Sequence, residues 1–325
     1  MDWLLASLGL VILLLAGDSL VRGAVNLALR VGIPALIVSL TIVAFGTSAP
    51  ELLIAIKAVF EGAPDIAMGN VVGSNTANIL LVLGLPALIA TMHTSECDSR
   101  KSFVVMIGAT LLFIALSFRG VFDFWAGLAL VTALAAILGE NFLHARAHRR
   151  GLKAQALEEA SEEEDLVEEL EGADPELPWW KIGLFLVLGL IGLPLGADLL
   201  VDSAVRIART FDVSEAAIGL TLVALGTSLP ELATTSMAAL RRQADVALGN
   251  VIGSNMFNLL GIIGVTALIG DIPVGRQFLV FDLWVMLAAS LILVPFVLFK
   301  RDIGRVWGFL LTALYVAYIF AVVMA

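Results

Sequence analysis

The sequence predicts an all-α, polytopic membrane protein: ten transmembrane helices arranged as two inverted-topology five-helix repeats. Three observations carry that expectation. Of the 325 residues, 60% are hydrophobic and 15% charged, with a mean hydropathy of +0.99. A soluble domain of this length cannot hide so much apolar surface. The chain also states one passage twice. TIVAFGTSAPELLIAIKA at 41–58 returns as TLVALGTSLPELATTSMA at 221–238, and DIAMGNVVGSNTANIL at 65–80 returns as DVALGNVIGSNMFNLL at 245–260. Aligned without a gap, 41–90 and 221–270 agree at 24 of 50 positions, which makes them two copies of one unit. Finally, each copy sets one carboxylate, Glu51 or Glu231, in an otherwise apolar stretch. A charge is costly there, so it marks a functional site by default.

At about 20 apolar residues per crossing, the spans read as roughly 3–24, 35–60, 65–91, 103–119, 121–143, 181–205, 214–240, 245–270, 278–299 and 305–324. The first lacks a basic segment before it, and its Asp18 recurs as Asp198, so it reads as a spanning helix and not a cleaved leader. Five spans precede a charged linker and five follow it. An odd number per half forces the copies into opposite orientations, related by a pseudo-two-fold axis in the membrane plane. The division is therefore 1–144, an N-terminal five-helix half; 145–178, an acidic linker; and 179–325, a C-terminal five-helix half.

Charge assigns the sides. Connections after spans 1, 3, 5, 7 and 9, with the adjoining span ends, hold 14 of the 19 basic residues, among them Arg22, Arg30, Arg100, Lys101, Arg241 and Arg301. Connections after spans 2, 4, 6 and 8 hold Lys57, Arg119, Arg206, Arg209 and Arg276. Basic residues stay in the cytoplasm. Both termini are thus expected outside the plasma (inner) membrane and the linker inside.

The net charge of −10 belongs to the linker: residues 158–176 hold 11 acidic residues and no basic one, against 18 acidic and 19 basic elsewhere. The linker reads as solvated, partly helical or disordered. It lacks EF-hand spacing, which disfavours a cation sensor. No basic, aromatic-interleaved patch points to nucleic acid. The single Cys97 excludes an internal disulfide and a cysteine-built metal site, and reads as a free thiol near a loop. His93, His144 and His148 sit in or near loops, away from any ligand role.

The first repeated motif is G-T-S-x-P-E, at Gly46–Glu51 and Gly226–Glu231. Proline lacks an N–H and clashes with the carbonyl four residues back, here that of Gly46 or Gly226. Carbonyls near 44–47 and 224–227 are thereby freed, and open backbone at membrane depth is tolerated where it lines a cavity or is buried in protein. With Thr and Ser hydroxyls and one glutamate each, the two copies form an all-oxygen set suited to a hard cation. The second motif is G-N-V-x-G-S-N-x-x-N, at Gly69–Asn78 and Gly249–Asn258. Ser74 with Asn78, and Ser254 with Asn258, are four apart and share a helix face, adding uncharged oxygens. Asn70, Asn75, Asn250 and Asn255 read either as further ligands or as amides tying helices together, the second being favoured. Asp65 and Asp245, at span starts, read as helix N-caps. Asp18 and Asp198 are left without a role beyond packing or an entrance. Two glutamates facing each other across the pseudo-two-fold neutralise one divalent ion. Calcium, taking six to eight oxygens, fits better than magnesium, and the lack of a His or Cys cluster disfavours zinc and copper. The bland alternative makes the glutamates structural, protonated or paired with Lys57, whose counterpart position holds Met237.

These paired motifs in two five-span halves resemble the alpha repeats of the sodium/calcium exchanger family of the calcium/cation antiporters, in a prokaryotic form without large cytoplasmic domains. The resemblance covers all but the linker. It implies Ca2+ and Na+ as transported substrates, with no organic cofactor. Calcium would be held by the Glu51 and Glu231 carboxylates and the Thr47 and Thr227 carbonyls. Sodium would be held by Ser48, Ser74, Ala44 and Thr47 in one half and Ser228, Ser254, Ala224 and Thr227 in the other. Asn78 and Asn258 would close the centre. Some members carry aspartate at the position of Asn258, so a proton role there is in doubt. The mechanism implied is alternating access, with the N-terminal helices rocking against a core of the two repeats.

Sodium-driven calcium antiport is therefore the expected function, with calcium/proton antiport as the alternative. A channel or an intramembrane enzyme stands behind both. An enzyme would need a nucleophile–base pair or a metal cluster, and the sequence displays neither. The expected partners are small inorganic cations and the lipid bilayer. No obligate protein partner is evident.

Overall fold

In a computed structural model of the chain, residues 1–158, 174, 177–211 and 224–324 are described, and helices dominate them. In chain order they are α1 (Asp2–Val31), α2 (Ala35–Thr47), α3 (Ala49–Phe60), α4 (Pro64–Ile89), α5 (Arg100–Ser117), α6 (Phe124–Glu158), α7 (Trp179–Thr210), α8 (Ala224–Gly226), α9 (Leu229–Leu240), α10 (Ala244–Ile269), α11 (Phe278–Val297) and α12 (Arg305–Met324). Among the described residues, eight helices are long and apolar enough to cross a membrane, or nine if the bent pair α2–α3 is one span. The remaining expected span, 214–240, lies partly outside the described residues, which resume at Ala224.

Two boundaries depart from the sequence reading. α6 was expected to end near 143 but runs to Glu158, well into the linker, because that stretch has no proline and is rich in Ala, Arg and Leu, all strong helix formers. The N-cap reading of Asp65 and Asp245 is wrong. α4 starts at Pro64 and α10 at Ala244, so each aspartate sits inside the first turn and neither side chain caps its helix. The early start at Pro64 follows from proline's fixed φ, which suits a first helical position. The acidic side chains still face the positive end of the helix dipole.

α1 and α7 form a long antiparallel pair. Gly9 lies against the Gly196 carbonyl and the Leu200 backbone, Gly189 against Leu20, and Gly23 against Leu186, each so close that a Cβ would clash. Membrane helices associate through such small residues because lipid gives them no hydrophobic drive. α4 and α10, with π-helical turns at Asn78–Val82 and Phe257–Ile262, are the most buried spans and form the centre.

Contacts at the ends of the helices fall into two groups. On one side Asp2 pairs with Arg206 at 2.7 Å, β1 (Val121–Phe122) pairs antiparallel with β2 (Ile272–Pro273), and Phe118 meets Trp284. On the other, Met92 bridges Ile303, His93 bonds Asp302 at 3.1 Å, Lys101 pairs with Glu140 at 2.7 Å, and Arg30 lies over Trp179. The first group draws on the N-terminus and on connections after even-numbered spans of the ten expected. The second draws on connections after odd-numbered ones.

Candidate cation site

The two G-T-S-x-P-E motifs break their helices at the same residue. Ser48 has φ −87° and ψ 4°, and Ser228 has φ −87° and ψ 1°. A new helix starts in each case one residue later, with Pro50 or Pro230 in its first turn, and α2 and α3 meet at a bend of 43°. The helix break read from the proline falls where expected, with the missing N–H where a helix start leaves it unneeded, but the Ala44 carbonyl, one of those expected to be freed, still accepts hydrogen bonds from the Ser48 N–H and the Thr47 hydroxyl. The motif glycines have a second role that the sequence reading missed. A Cβ on Gly46 would lie 1.9 Å from Leu190 Cδ2, and one on Gly226 would lie 2.6 Å from Val201 Cγ2. Both glycines let α7 approach the break.

Glu51 and Glu231 stand in the first turns after the breaks and are 1% and 0% exposed. Ser48 Oγ donates to Glu231 Oε1 at 3.2 Å, which brings the break of the first repeat onto the carboxylate of the second. Ser254 Oγ donates to the same oxygen at 3.5 Å. Thr47 joins this cluster through Asn250 Oδ1 at 3.3 Å and Ser254 Oγ at 3.4 Å. The Ala44 carbonyl accepts the Ser48 N–H at 3.0 Å and the Thr47 hydroxyl at 3.3 Å. Ser74 and Asn78 are buried in α4, and their counterparts Ser254 and Asn258 are buried in α10. Thr227 and the backbone of Ala224 lie at the second break. The Ala224 side chain lies outside the described set.

The asparagines divide into two roles. Asn75 Nδ2 donates to the Asn255 carbonyl at 3.2 Å, and Asn255 Nδ2 donates to the Asn75 carbonyl at 3.4 Å. This reciprocal pair clasps α4 to α10. Asn70 Nδ2 reaches the Glu51 carbonyl at 3.3 Å, and its counterpart Asn250 Nδ2 the Glu231 carbonyl at 3.5 Å. These four are the interhelical ties favoured from sequence. Asn78 is held through Nδ2 on Asn255 Oδ1 at 3.0 Å. Its own Oδ1 is buried without a hydrogen-bond partner, as are Glu51 Oε2, Glu231 Oε2, Ser228 Oγ and both amide atoms of Asn258.

Unpartnered buried oxygens are rare because each one forfeits its hydration. Here five come from residues at or next to the two helix breaks and the start of the two π-helical turns, a type of turn often found at functional sites. The donor set fits a hard cation: two carboxylates, amide oxygens and hydroxyls, with no nitrogen or sulfur ligand among them. Among the described residues no group of three or more His, Cys, Asp or Glu comes together to hold a metal, at this site or elsewhere. Lys57 pairs with Glu61 at 3.7 Å on the exposed face of α3, which removes the reading of Lys57 as partner to the buried glutamates. A cavity of about 100 Å³ opens beside Ser48, between Phe45, Leu52, Phe257 and Gly261.

A membrane protein of helical spans, broken at two matching points beside buried carboxylates, is an ion-handling integral membrane protein. Comparison with known proteins gives the family. The model of the sodium/calcium exchanger protein family matches residues 1–141 and 181–324, and the chain belongs to that family. The CaxA protein of Alkalimonas amylolytica is 37% identical over 320 residues, 95% of each chain. MaX1 of Methanosarcina acetivorans, named a sodium/calcium exchanger, is 33% identical over 98% of this chain and 97% of its own. A solved structure of the sodium-calcium exchanger NCX_Mj, soaked with zero Na+ and Ca2+, superposes with a TM-score of 0.81 at 30% identity, covering 99% of this chain and 98% of that one. The chain is therefore a cation antiporter by family and fold.

Proposed function

We propose that this protein exchanges Ca2+ against Na+ by alternating access at the site between the two helix breaks. The observation that carries the reading is the pair of buried glutamates, Glu51 and Glu231, each at the start of a broken half-helix and each with an unpartnered oxygen. Together they neutralise one divalent ion. The Thr47 and Thr227 carbonyls complete its shell. Sodium uses the flanking oxygens of Ser48, Ser74 and Ala44 in one half and Ser228, Ser254 and Ala224 in the other, with Asn78 and Asn258 at the centre. Ser48 and Ser254 already bond Glu231. Sodium and calcium thus draw on shared ligands, full loading by one excludes the other, and the two fluxes are coupled.

The ten-span plan with inverted halves, 1–144 and 179–325, is part of this reading. Its support is the sorting of end contacts by connection parity, since bonded connections must lie on one side of the bilayer. The excess of basic residues on one set puts the termini outside the inner membrane and the linker 145–178 in the cytoplasm. The calcium/proton alternative would have Glu51 and Glu231 carry protons. No described feature favours it, and Asn258 adds no titratable group.

Replacing one glutamate by glutamine keeps its size and removes its charge. Glu51→Gln and Glu231→Gln are each expected to reduce calcium uptake in proteoliposomes to background, with expression and monodispersity unchanged. Robust calcium uptake by either variant would overturn the assignment.

A further inference from the structure

The two halves differ in a way their repeat relation makes legible. Asp18 of α1 is paired with Arg241, at the end of α9, and with Arg22 at 3.0 Å. Asp18 and Arg241 are only 20% and 15% exposed, so the pair is shielded from water. It ties the α1–α7 pair to the half-helix that carries Glu231. One hundred and eighty residues along, the equivalents of Asp18, Arg22 and Arg241 are Asp198, Asp202 and Glu61. The equivalent positions therefore hold one acid and two bases in one copy and three acids in the other. Asp198 and Asp202 are exposed, and among the described residues neither has a cationic partner. Two cations on the same pair of helices are engaged locally: Lys57 with Glu61 on α3 itself, and Arg206 with Asp2 within the α1–α7 pair.

Packing follows the charges. α1 lies along α9, with Gly17 against the Ala233 carbonyl, and Ala233 is 7% exposed. The equivalent pairing, α7 along α3, makes next to no contact. The equivalents of Gly17 and Ala233 are Ala197 and Leu53, and Leu53 is 68% exposed. One cleft beside the site is shut by a small-residue seam and an ion pair. The other has a bulky residue at the seam position and only acids at the positions equivalent to the ion pair. Like charges across a closing interface oppose closure.

We propose that Asp18–Arg241 is a one-sided latch. It holds the α9 cleft closed, while the acidic equivalents Asp198, Asp202 and Glu61 leave the α3 cleft without a latch, so the cation-free protein rests open on the α3 side. Calling that side extracellular rests on the topology proposed above; the latch itself does not. An inverted repeat with equal seals would populate both states equally, and the charge reversal biases the equilibrium.

The test uses the full-length protein in vesicles, with Leu53→Cys or Ala233→Cys as reporters of the two clefts and a membrane-impermeant maleimide. Native Cys97 adds little background: it is buried, and burial, then the nearby Asp245 charge, push its thiol well above the usual range. Breaking the latch with Arg241→Glu is expected to slow labelling at position 53 and speed it at position 233. Their ratio should change about tenfold or more, equivalent to about 1.4 kcal/mol and less than removal of one partner of a buried ion pair commonly costs. Restoring the pair in reverse with Asp18→Arg and Arg241→Glu together should return the parental ratio. Glu61→Arg, which builds the missing pair with Asp198, should by itself slow labelling at position 53. Unchanged ratios in folded Arg241→Glu and Glu61→Arg proteins would overturn the latch. Labelling of position 53 from the cytoplasmic side alone would overturn the orientation and leave the latch standing.

Discussion

Single residues decide what the site can bind. The glutamates were legible because a carboxylate in an apolar run is expensive and this one occurs twice. The hydroxyl cluster on Glu231 was legible only as a set of candidates. The motif supplied Ser48 and Ser254, but their convergence on one oxygen of Glu231, Ser48 from the opposite repeat and Ser254 from the same one, depends on how α2, α9 and α10 cross. The reciprocal Asn75–Asn255 clasp could be suspected from the repeat, since a residue near a pseudo-two-fold axis meets its own equivalent. Replacing Asn75 by Ala removes one donor to the Asn255 carbonyl, and should destabilise the detergent-solubilised protein by about 1–3 kcal/mol. The double variant Asn75→Ala/Asn255→Ala should cost clearly less than the sum of the two single changes. Additive losses of thermal stability would mean the clasp is not one interacting pair.

At the level of elements, the breaks at Ser48 and Ser228 were readable from Gly-to-Pro spacing, but the π-helical turns at Asn78–Val82 and Phe257–Ile262 were not. A π turn is one extra residue in a continuous helix, and nothing in local propensity marks it. The glycines of α1 and α7 were equally opaque. Glycine is common in membrane helices, and only the antiparallel register shows which ones touch. Gly189→Leu should be strongly disruptive, since its first added carbon would meet Leu20 Cβ at 2.6 Å. The expected penalty is about 1–3 kcal/mol from overpacking, read as a lowered midpoint of thermal unfolding. Gly108→Ala, with nothing within 4 Å of the added carbon, should match the parent. Equal midpoints for all three proteins would contradict the close α1–α7 packing.

For the whole molecule, the membrane class and the two-copy plan were legible because hydropathy and a gapless repeat need no tertiary information. The asymmetry between the halves was not, although every residue that makes it was in view. The pairing of Asp18 with Arg241 spans 223 positions and appears only when α1 lies along α9. The linker lies outside both segments of the family match, so deleting residues 156–174 should leave calcium transport largely intact. Loss of transport by a well-folded deletion protein would make the linker part of the transport cycle. The coupling ion is the remaining whole-molecule property. It is decided by reconstituting the protein in liposomes and following radiolabelled calcium uptake driven by an outward sodium gradient, beside an equal potassium gradient and a proton gradient. Uptake with the sodium gradient alone is expected. Uptake driven by protons and indifferent to sodium would contradict the shared-ligand exchange of sodium and calcium and make Glu51 and Glu231 proton carriers.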